Sequence, residues 1–253
     1  MTDAVRQEEK NLSLTPYLIL GFFLLVLALV VRAPASLLQK ALPASLPLQV
    51  TAWGGTIWQG QAALAQGENR GFLDWRLQPS RLLAGRLAGD IKAQGVLQLA
   101  GRVELGRSGW RLQDLQGEVP ATALQSLLPP GWMLPGNLQA KGVTLARGGH
   151  SRGPWQAAGG QLQWSGGPMQ YNVNGQPQGA TLPPLTVNLR LEGDTLQLAL
   201  NESESGLGLA LLRLMPDGQV ETQLRERLLR YSPGYRGSGG DPDAVVVTAR
   251  QSL

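Results

Sequence analysis

The sequence predicts a mostly β protein, in which an N-terminal transmembrane helix is followed by a long, curved, mainly antiparallel sheet with a few short helices. Three observations support this fold class. Residues 12–31 form one apolar run without a charge. After this run, apolar and polar residues alternate, as they do on half-buried strands. The chain also contains 33 glycines and 17 prolines but only 16% charged residues, a composition that favours strands and turns over helices.

The transmembrane helix is predicted over residues 12–32. At about 1.5 Å per residue, the apolar run would be roughly 30 Å long, which matches the hydrocarbon core of a bilayer. Pro16 falls in the first turn, where its missing N–H group costs little. The side chains expected to form the membrane anchor are Tyr17, Leu18, Ile19, Leu20, Phe22, Phe23, Leu24, Leu25, Val26, Leu27, Leu29, Val30 and Val31.

A cleaved signal peptide is the alternative interpretation of this run. Three features favour an uncleaved anchor: the leader carries acidic as well as basic residues, Arg32 follows the apolar core directly, and Pro34 lies inside the Ala-Pro-Ala sequence that resembles a cleavage site. Lys and Arg number two on each flank, so the positive-inside rule does not decide the orientation. We expect the simpler arrangement, in which residues 1–11 form a cytoplasmic N-tail and the large C-terminal part is exported.

The rest of the chain is predicted to contain a Pro-rich connector at residues 33–47, a β-rich domain at residues 48–231 and a disordered tail at residues 232–253. A short helix is expected within the connector at 35–46, and helical turns at 79–83, 120–128 and 225–231. Within the tail, residues 245–247 could add a strand to an exposed sheet edge. Strands are expected at 48–52, 56–60, 63–65, 72–77, 86–96, 97–105, 110–119, 138–145, 155–164, 185–191, 196–200, 206–214 and 220–224.

Two details of the strand pattern carry further predictions. Trp110 and Leu112 share one parity whereas Leu115 and Gly117 share the other, and one extra residue of this kind is what a β-bulge supplies. Leu-Gln dipeptides recur inside the predicted strands, with the leucines expected to face inward and the glutamines outward. We therefore predict a meander of similar antiparallel strands whose inner face consists of Leu, Val and Trp.

The sequence gives little basis for catalysis, metal binding or nucleic-acid binding. Its single histidine, His150, lies in a Gly-rich segment without an acidic neighbour, and no nucleophile elbow, P-loop or His-Glu-x-x-His motif is present. The chain has no cysteine, which excludes disulfides and thiolate sites. The net charge of +4 comes from scattered basic residues, whereas a nucleic-acid interface clusters them. We expect a protein that is not an enzyme, without catalytic residues, cofactor or metal and without a nucleic-acid partner.

The tryptophans are the candidates for a partner surface. Trp53 and Trp58 flank the Gly54-Gly55 pair close to the anchor, and Trp132 follows Pro129-Pro130-Gly131. Tryptophan is enriched at interface hot spots, so these three residues form a candidate partner surface. Core packing is the alternative interpretation of Trp53 and Trp58.

The segment Gly55-Thr-Ile-Trp-Gln-Gly60, soon after an N-terminal anchor, resembles protein N of the bacterial type II (general) secretion system. Later segments fit the same resemblance: Leu115-Gln-Gly-Glu-Val-Pro120, the leucines at 124–128, and Gly136-Asn-Leu-Gln139. The likeness extends to about Tyr231. The polar residues 1–11 and the Gly-rich residues after Ser232 depart from it.

The resemblance implies a single-pass inner-membrane protein of Gram-negative bacteria, with the bulk of the chain in the periplasm. It further implies a non-catalytic accessory subunit that contacts other inner-membrane secretion components, the outer-membrane secretin, or both, in a machine that exports folded proteins. The predicted sheet is also similar to the curved sheets of AsmA-like proteins. This similarity leaves open an alternative function, a periplasmic lipid-binding or lipid-transfer protein with an AsmA-like hydrophobic groove.

Overall fold

A computed structural model describes residues 15–41, 49–66, 69–95, 97–127, 131–149, 153–173, 175–237 and 240–252. The predicted N-tail, residues 12–14 of the predicted anchor, residues 42–48 at the end of the connector, and His150 lie outside these described residues. The side chains of Tyr17, Leu18, Ile19, Phe23, Val26 and Leu27 also lie outside them.

The described chain is dominated by strands. The fifteen strands within the described residues are β1 (Gln49–Gly55), β2 (Gln59–Gln66), β3 (Asn69–Leu77), β4 (Arg86–Gly95), β5 (Gln98–Gly106), β6 (Gly109–Pro120), β7 (Asn137–Gly148), β8 (Trp155–Trp164), β9 (Gly167–Val173), β10 (Gln176–Leu182), β11 (Leu185–Glu192), β12 (Thr195–Glu202), β13 (Gly208–Leu214), β14 (Gln219–Arg225) and β15 (Val245–Ser252). The α-helices are α1 (Thr15–Val31) and α2 (Glu226–Leu229), and 3-10 helices cover Ala35–Ala41, Pro79–Ala84 and Ala121–Leu127.

Thirteen strands form one antiparallel sheet in the order β1-β2-β3-β4-β5-β6-β7-β8-β11-β12-β13-β14-β15, and β9 and β10 form a separate hairpin. The register places one apolar face along the whole sheet. Leu73 pairs with Ala93, Val103 with Leu112 and Leu189 with Leu198, so that directly opposite residues share this face. The large antiparallel sheet that the alternation predicts is confirmed.

The sheet bends between β7 and β13. The guanidinium of Arg147, on β7, donates to the carbonyl oxygen of Pro216, beyond β13, at 3.0 Å. In a flat sheet, strands spaced by about 4.8 Å would separate these two strands by roughly 19 Å, beyond the reach of an arginine side chain. The core is densest on the concave side of this bend, where Trp164, Leu185 and Leu209 are buried together with Tyr231 and Leu228 packed against them.

The N-terminal helix α1 has 17 described residues. Its described apolar side chains are exposed, from 44% at Val30 to 69% at Phe22. No helix among the described residues has both the length and the apolar character needed to cross a membrane.

The first two strands differ from the expectation. Gly54-Gly55 was expected to interrupt a strand, with separate strands at 56–60 and 63–65. In the structure β1 continues through Gly55, the chain turns at 56–58, and β2 runs without a break from Gln59 to Gln66. The turn is displaced because Thr56, not the glycine pair, closes it: the Thr56 amide donates to the Gln59 carbonyl at 2.9 Å.

The predicted bulge on β6 is present. The register shifts between Leu112 and Leu115 relative to β7, and Asp114 at this point has a φ of 50°. The β9–β10 hairpin, in contrast, was not expected. Its segments are rich in Pro, Gly, Asn and Gln, so they lack the apolar alternation that marks a half-buried strand.

The structure also differs from the expected disordered tail at residues 232–253. Residues 245–252 form β15, which extends the edge strand considered for 245–247 by five residues and pairs antiparallel with β14. The physical reason is the open edge of β14, whose backbone N–H and C=O groups pair with β15.

Candidate functional site

The segment from Gly55 to Gly60 forms a tight turn at the start of the sheet. The hydroxyl of Thr56 accepts from the Gln59 amide at 3.2 Å, which fixes the turn from inside. The carbonyl of Ile57 accepts from the Trp75 indole N–H at 3.1 Å, and the carbonyl of Trp58 accepts from the Leu77 amide at 2.6 Å. The turn is therefore held against β3 and cannot move independently of the sheet.

The same turn receives the C-terminal end of α1. The Trp58 indole N–H donates to the Val30 carbonyl at 2.8 Å, and the Ile57 amide donates to the Ala33 carbonyl at 2.9 Å. Pro34 and Thr56 form an antiparallel bridge beside these bonds. The last carbonyls of a helix have no partner within the helix, and here an indole supplies one. We call this arrangement, residues 30–34 with residues 55–60, the helix–sheet junction.

Two glycines of the junction are required by space. Gly55 has a φ of 81°, and a Cβ atom there would lie 2.5 Å from the Gln59 carbonyl oxygen. A Cβ atom on Gly60 would lie 2.5 Å from Cζ2 of Trp75 and 2.6 Å from the Gly54 carbonyl oxygen. No side chain fits at either position without displacing backbone, so the motif that carries the family resemblance is explained by close packing at the junction.

The three tryptophans of the candidate partner surface are half-buried and lie at two places. Trp53 packs edge-on against Trp75, with ring centroids 6.0 Å apart, and belongs to the core around Ala35 and Ala62. Trp58 lies in the helix–sheet junction. Trp132 lies at the opposite edge of the sheet, in the connection from β6 to β7, where it packs against Tyr171 at 5.9 Å. Trp58 therefore lies within the junction, Trp53 lies beside it in the adjoining core, and Trp132 lies away from both.

The C-terminal strand β15 is a second unusual feature. Every described residue of β15 is exposed, so its side chains bury little area. The backbone pairing with β14 holds it, together with an ion pair: Arg250 contacts Oε2 of Glu221 through Nε at 2.9 Å and through Nη2 at 2.6 Å. Arg213 reaches the other oxygen, Oε1, of the same carboxylate at 3.2 Å.

The charge state of Glu221 follows from these partners. The hydrogen bonds from Arg250 lower the pKa of the Glu221 carboxyl below its usual value, and those from Gln223 and Arg213 add to this effect, while burial opposes it. The carboxylate is therefore ionised at neutral pH and paired with two arginines. Sequence alternation alone did not single out this residue, because its partner Arg250 lies 29 residues away in a segment expected to be disordered.

The segment before β15 is fastened to α2. The Glu226 amide donates to the Ala244 carbonyl and the Arg227 amide to the Pro242 carbonyl, both at 2.9 Å. The Arg227 guanidinium also contacts the Asp243 carboxylate at 3.2 Å. Beside them, the hydroxyl of Tyr231 donates to Glu202 at 2.9 Å, and burial together with this bond raises the pKa of Tyr231.

No group of three or more His, Cys, Asp or Glu side chains within the described ranges could hold a metal ion. The structure therefore offers two features: the helix–sheet junction at one end of the sheet and the exposed edge strand β15 at the other end. Both features are suited to protein contacts.

Comparison with known proteins decides the family. Residues 47–231 match the family described as type II secretion system (T2SS), protein N. The chain belongs to this family. It is 32% identical over 239 residues to the type II secretion system protein N of Vibrio cholerae serotype O1 (strain ATCC 39315 / El Tor Inaba N16961), covering 86% of this chain and 92% of that protein. No solved structure matches.

The family resemblance stated from the sequence is thereby confirmed, and with it an accessory component of type II secretion. The matched residues begin just before β1 and end at the residue that bonds Glu202, so α1 and β15 lie outside them. The likeness to AsmA-type sheets remains a prediction. The lipid-binding or lipid-transfer alternative gains no support from the family or from the relative in Vibrio cholerae.

Proposed function

We propose that this protein is a non-catalytic accessory subunit of the type II secretion system, anchored once in the inner membrane by residues 12–32 with its sheet in the periplasm. The observation that carries this proposal is the helix–sheet junction. It fixes the end of an apolar helix to the first strands of a rigid sheet through Trp58, Ile57 and the bridge at Pro34.

The exposed side chains of α1 support the anchor. Leu20, Phe22 and Leu29 are more than half exposed, and in water each would cost about 1.5–3 kcal/mol relative to burial. A bilayer around the helix removes this cost. The uncharged sequence from residue 12 to residue 31 supports the same proposal.

We further propose that a secretion component, either another inner-membrane subunit or the secretin, binds by adding a strand to the outer edge of β15. β15 is one of the two edge strands of the sheet, and its side chains are exposed along its whole length. Unpaired backbone groups at such an edge are a template for an extended segment of a partner. The half-buried tryptophans remain further candidate contacts: Trp132 lies at the strand ends opposite the junction, Trp58 within the junction, and Trp53 beside it against Trp75.

The test is deletion of the gene followed by complementation. We expect exoprotein release to fall in the deletion strain, to be restored by the intact chain, and other secretion components to co-purify with the intact chain. Unchanged release together with no co-purifying component would contradict the proposal. A chain that ends at residue 239 is the matched variant, because it keeps the family-matched residues and removes only residues 240–253, which contain β15.

A further inference from the structure

The junction determines which strand ends of the sheet lie beside the end of α1. Here, "edge" means the side of the sheet that these strand ends and their turns form. The turn at 56–58 is followed along the same edge by the connection 78–85, because Gln59 pairs with Arg76 and Leu77 with Gly89. The turn at 107–108 comes next, because Arg86 pairs with Gly106. With strands about 4.8 Å apart, these three connections lie within roughly 20 Å of the junction.

This edge is strongly basic. Arg81, Arg107 and Arg111 are exposed, and none of them has an ion pair within the part of the chain that the structure describes. Arg86 is 54% exposed and is paired with Glu104 at 3.1 Å. Since this carboxylate offsets one of four arginines, the group has a formal charge of +3. Acidic residues at this edge, Glu192, Asp194 and Asp217, lie further along, at the turns after β11 and β13.

Three of the four arginines, Arg86, Arg107 and Arg111, line open clefts. A cleft of about 550 Å³ lies between the 3-10 helix at Pro79–Ala84 and the turn at 107–108, with Arg86 and Arg107 on its walls. A smaller cleft of about 160 Å³ lies next to it and is lined by Arg86, Glu104 and Arg111. Leu82, 44% exposed, stands at the mouth of the larger cleft.

We propose that this basic edge, Arg81 with Arg86, Arg107 and Arg111, binds the phosphate headgroups of anionic phospholipids at the membrane surface. The proposal rests on the proposed anchoring by residues 12–32, because the junction then keeps this edge within reach of the bilayer, and the arginines supply the contact. Arginines bind phosphate oxygens through paired N–H groups, and Leu82 can enter the headgroup region. The contact would fix the tilt of the sheet and so the direction in which the β15 edge points.

The experiment uses single cysteines, which the chain permits because it has none of its own. Ser108→Cys places a fluorophore in the basic edge, and Gln98→Cys places one at the other end of the same strand, roughly 30 Å away along β5. The full chain is reconstituted in vesicles of phosphatidylcholine, alone or mixed with phosphatidylglycerol, that contain a lipid with a nitroxide quencher on its headgroup. Carbonate extraction of the same vesicles reports whether the chain is integrated.

We expect quenching at position 108, but not at 98, only in vesicles with phosphatidylglycerol. Neutralising one arginine should weaken the contact roughly fivefold, since each cationic side chain near an anionic surface contributes about 1 kcal/mol. The variant R81Q/R107Q/R111Q, which keeps the Arg86–Glu104 pair, should lose the quenching. The variant R81K/R107K/R111K should keep most of it, which separates loss of charge from loss of folding.

Three results would overturn the proposal. Equal quenching with and without phosphatidylglycerol would show a contact that does not depend on anionic lipid. Quenching that soluble glycerol phosphate removes would indicate a small-anion site instead of a membrane surface. No quenching at 108 in a chain that resists carbonate would reject the basic edge while leaving the anchor intact, whereas extraction by carbonate would reject the anchor itself.

Discussion

Gly60 provides the sharpest test of the helix–sheet junction. In Gly60→Ala the new Cβ atom would lie 2.5 Å from Cζ2 of Trp75, 2.6 Å from the Gly54 carbonyl oxygen and 2.9 Å from the Thr56 carbonyl oxygen. Two of these three neighbours are backbone atoms of β1 and of the turn, so they cannot rotate away as a flexible side chain can. Overpacking of this kind costs about 1–3 kcal/mol.

The matched control is Gly54→Ala, on β1 directly before the same turn. Its Cβ atom would meet only the Gln61 carbonyl oxygen, at 3.8 Å, which is ordinary van der Waals contact. Because glycine weakens a strand, this change should be neutral or stabilising by less than about 1 kcal/mol.

The assay is thermal unfolding of the full chain in detergent, followed by tryptophan fluorescence. For a chain of this size about 1 kcal/mol corresponds to roughly 2–4 °C, so Gly60→Ala should lower Tm by about 2–12 °C relative to Gly54→Ala. Protease cleavage between α1 and β1 should also accelerate in Gly60→Ala alone. Equal Tm values for the two variants would refute the packing argument for the motif.

Four further predictions concern the hydrogen bonds. Trp58→Phe removes the indole donor at the end of α1 and should destabilise the junction by about 0.5–1.5 kcal/mol, seen as faster amide hydrogen exchange at residues 30–34 while β7 is unchanged. Arg250→Gln should detach β15, seen as rapid exchange at residues 245–252 without a change in Tm of the remaining sheet. Because the folded-state pKa of Glu221 is lowered from 4.5, its contribution to β15 pairing is present above that pH and is lost as the pH falls through the lowered value, so β15 protection should decrease on acidification. Tyr231→Phe removes the bond to Glu202 and should cost about 1 kcal/mol in unfolding free energy. If this variant accelerated amide exchange in β15 as strongly as Trp58→Phe accelerates exchange at residues 30–34, the placement of Tyr231 would be contradicted.

The architecture was predictable because its signals are local. Alternation of apolar and polar residues has a period of two and indicates a half-buried strand without knowledge of its partner. The change of parity between Leu112 and Leu115 predicts the bulge in the same way, from one strand alone. The 3-10 helices at Pro79–Ala84 and Ala121–Leu127 follow prolines that break the strands.

The junction and the C-terminal edge depend on distant partners and could not be read in the same way. The bond from Trp58 to Val30 joins residues 28 positions apart, and a tryptophan near an anchor was equally consistent with a partner surface. β15 was missed as a full strand because it pairs with the open edge of β14, a strand at least 20 residues earlier, and the β9–β10 hairpin because its residues lack apolar alternation.

The central claim is that this protein takes part in secretion through the outer edge of β15. The most direct measurement is site-specific photo-crosslinking from Thr248 in intact cells, with Gln98, an exposed residue within the interior of the sheet, as the control position. The account predicts crosslinks from position 248 to another inner-membrane secretion component or to the secretin, and none of these from position 98. Crosslinks to secretion components from neither position, in cells that contain the complete apparatus and release exoprotein, would contradict it.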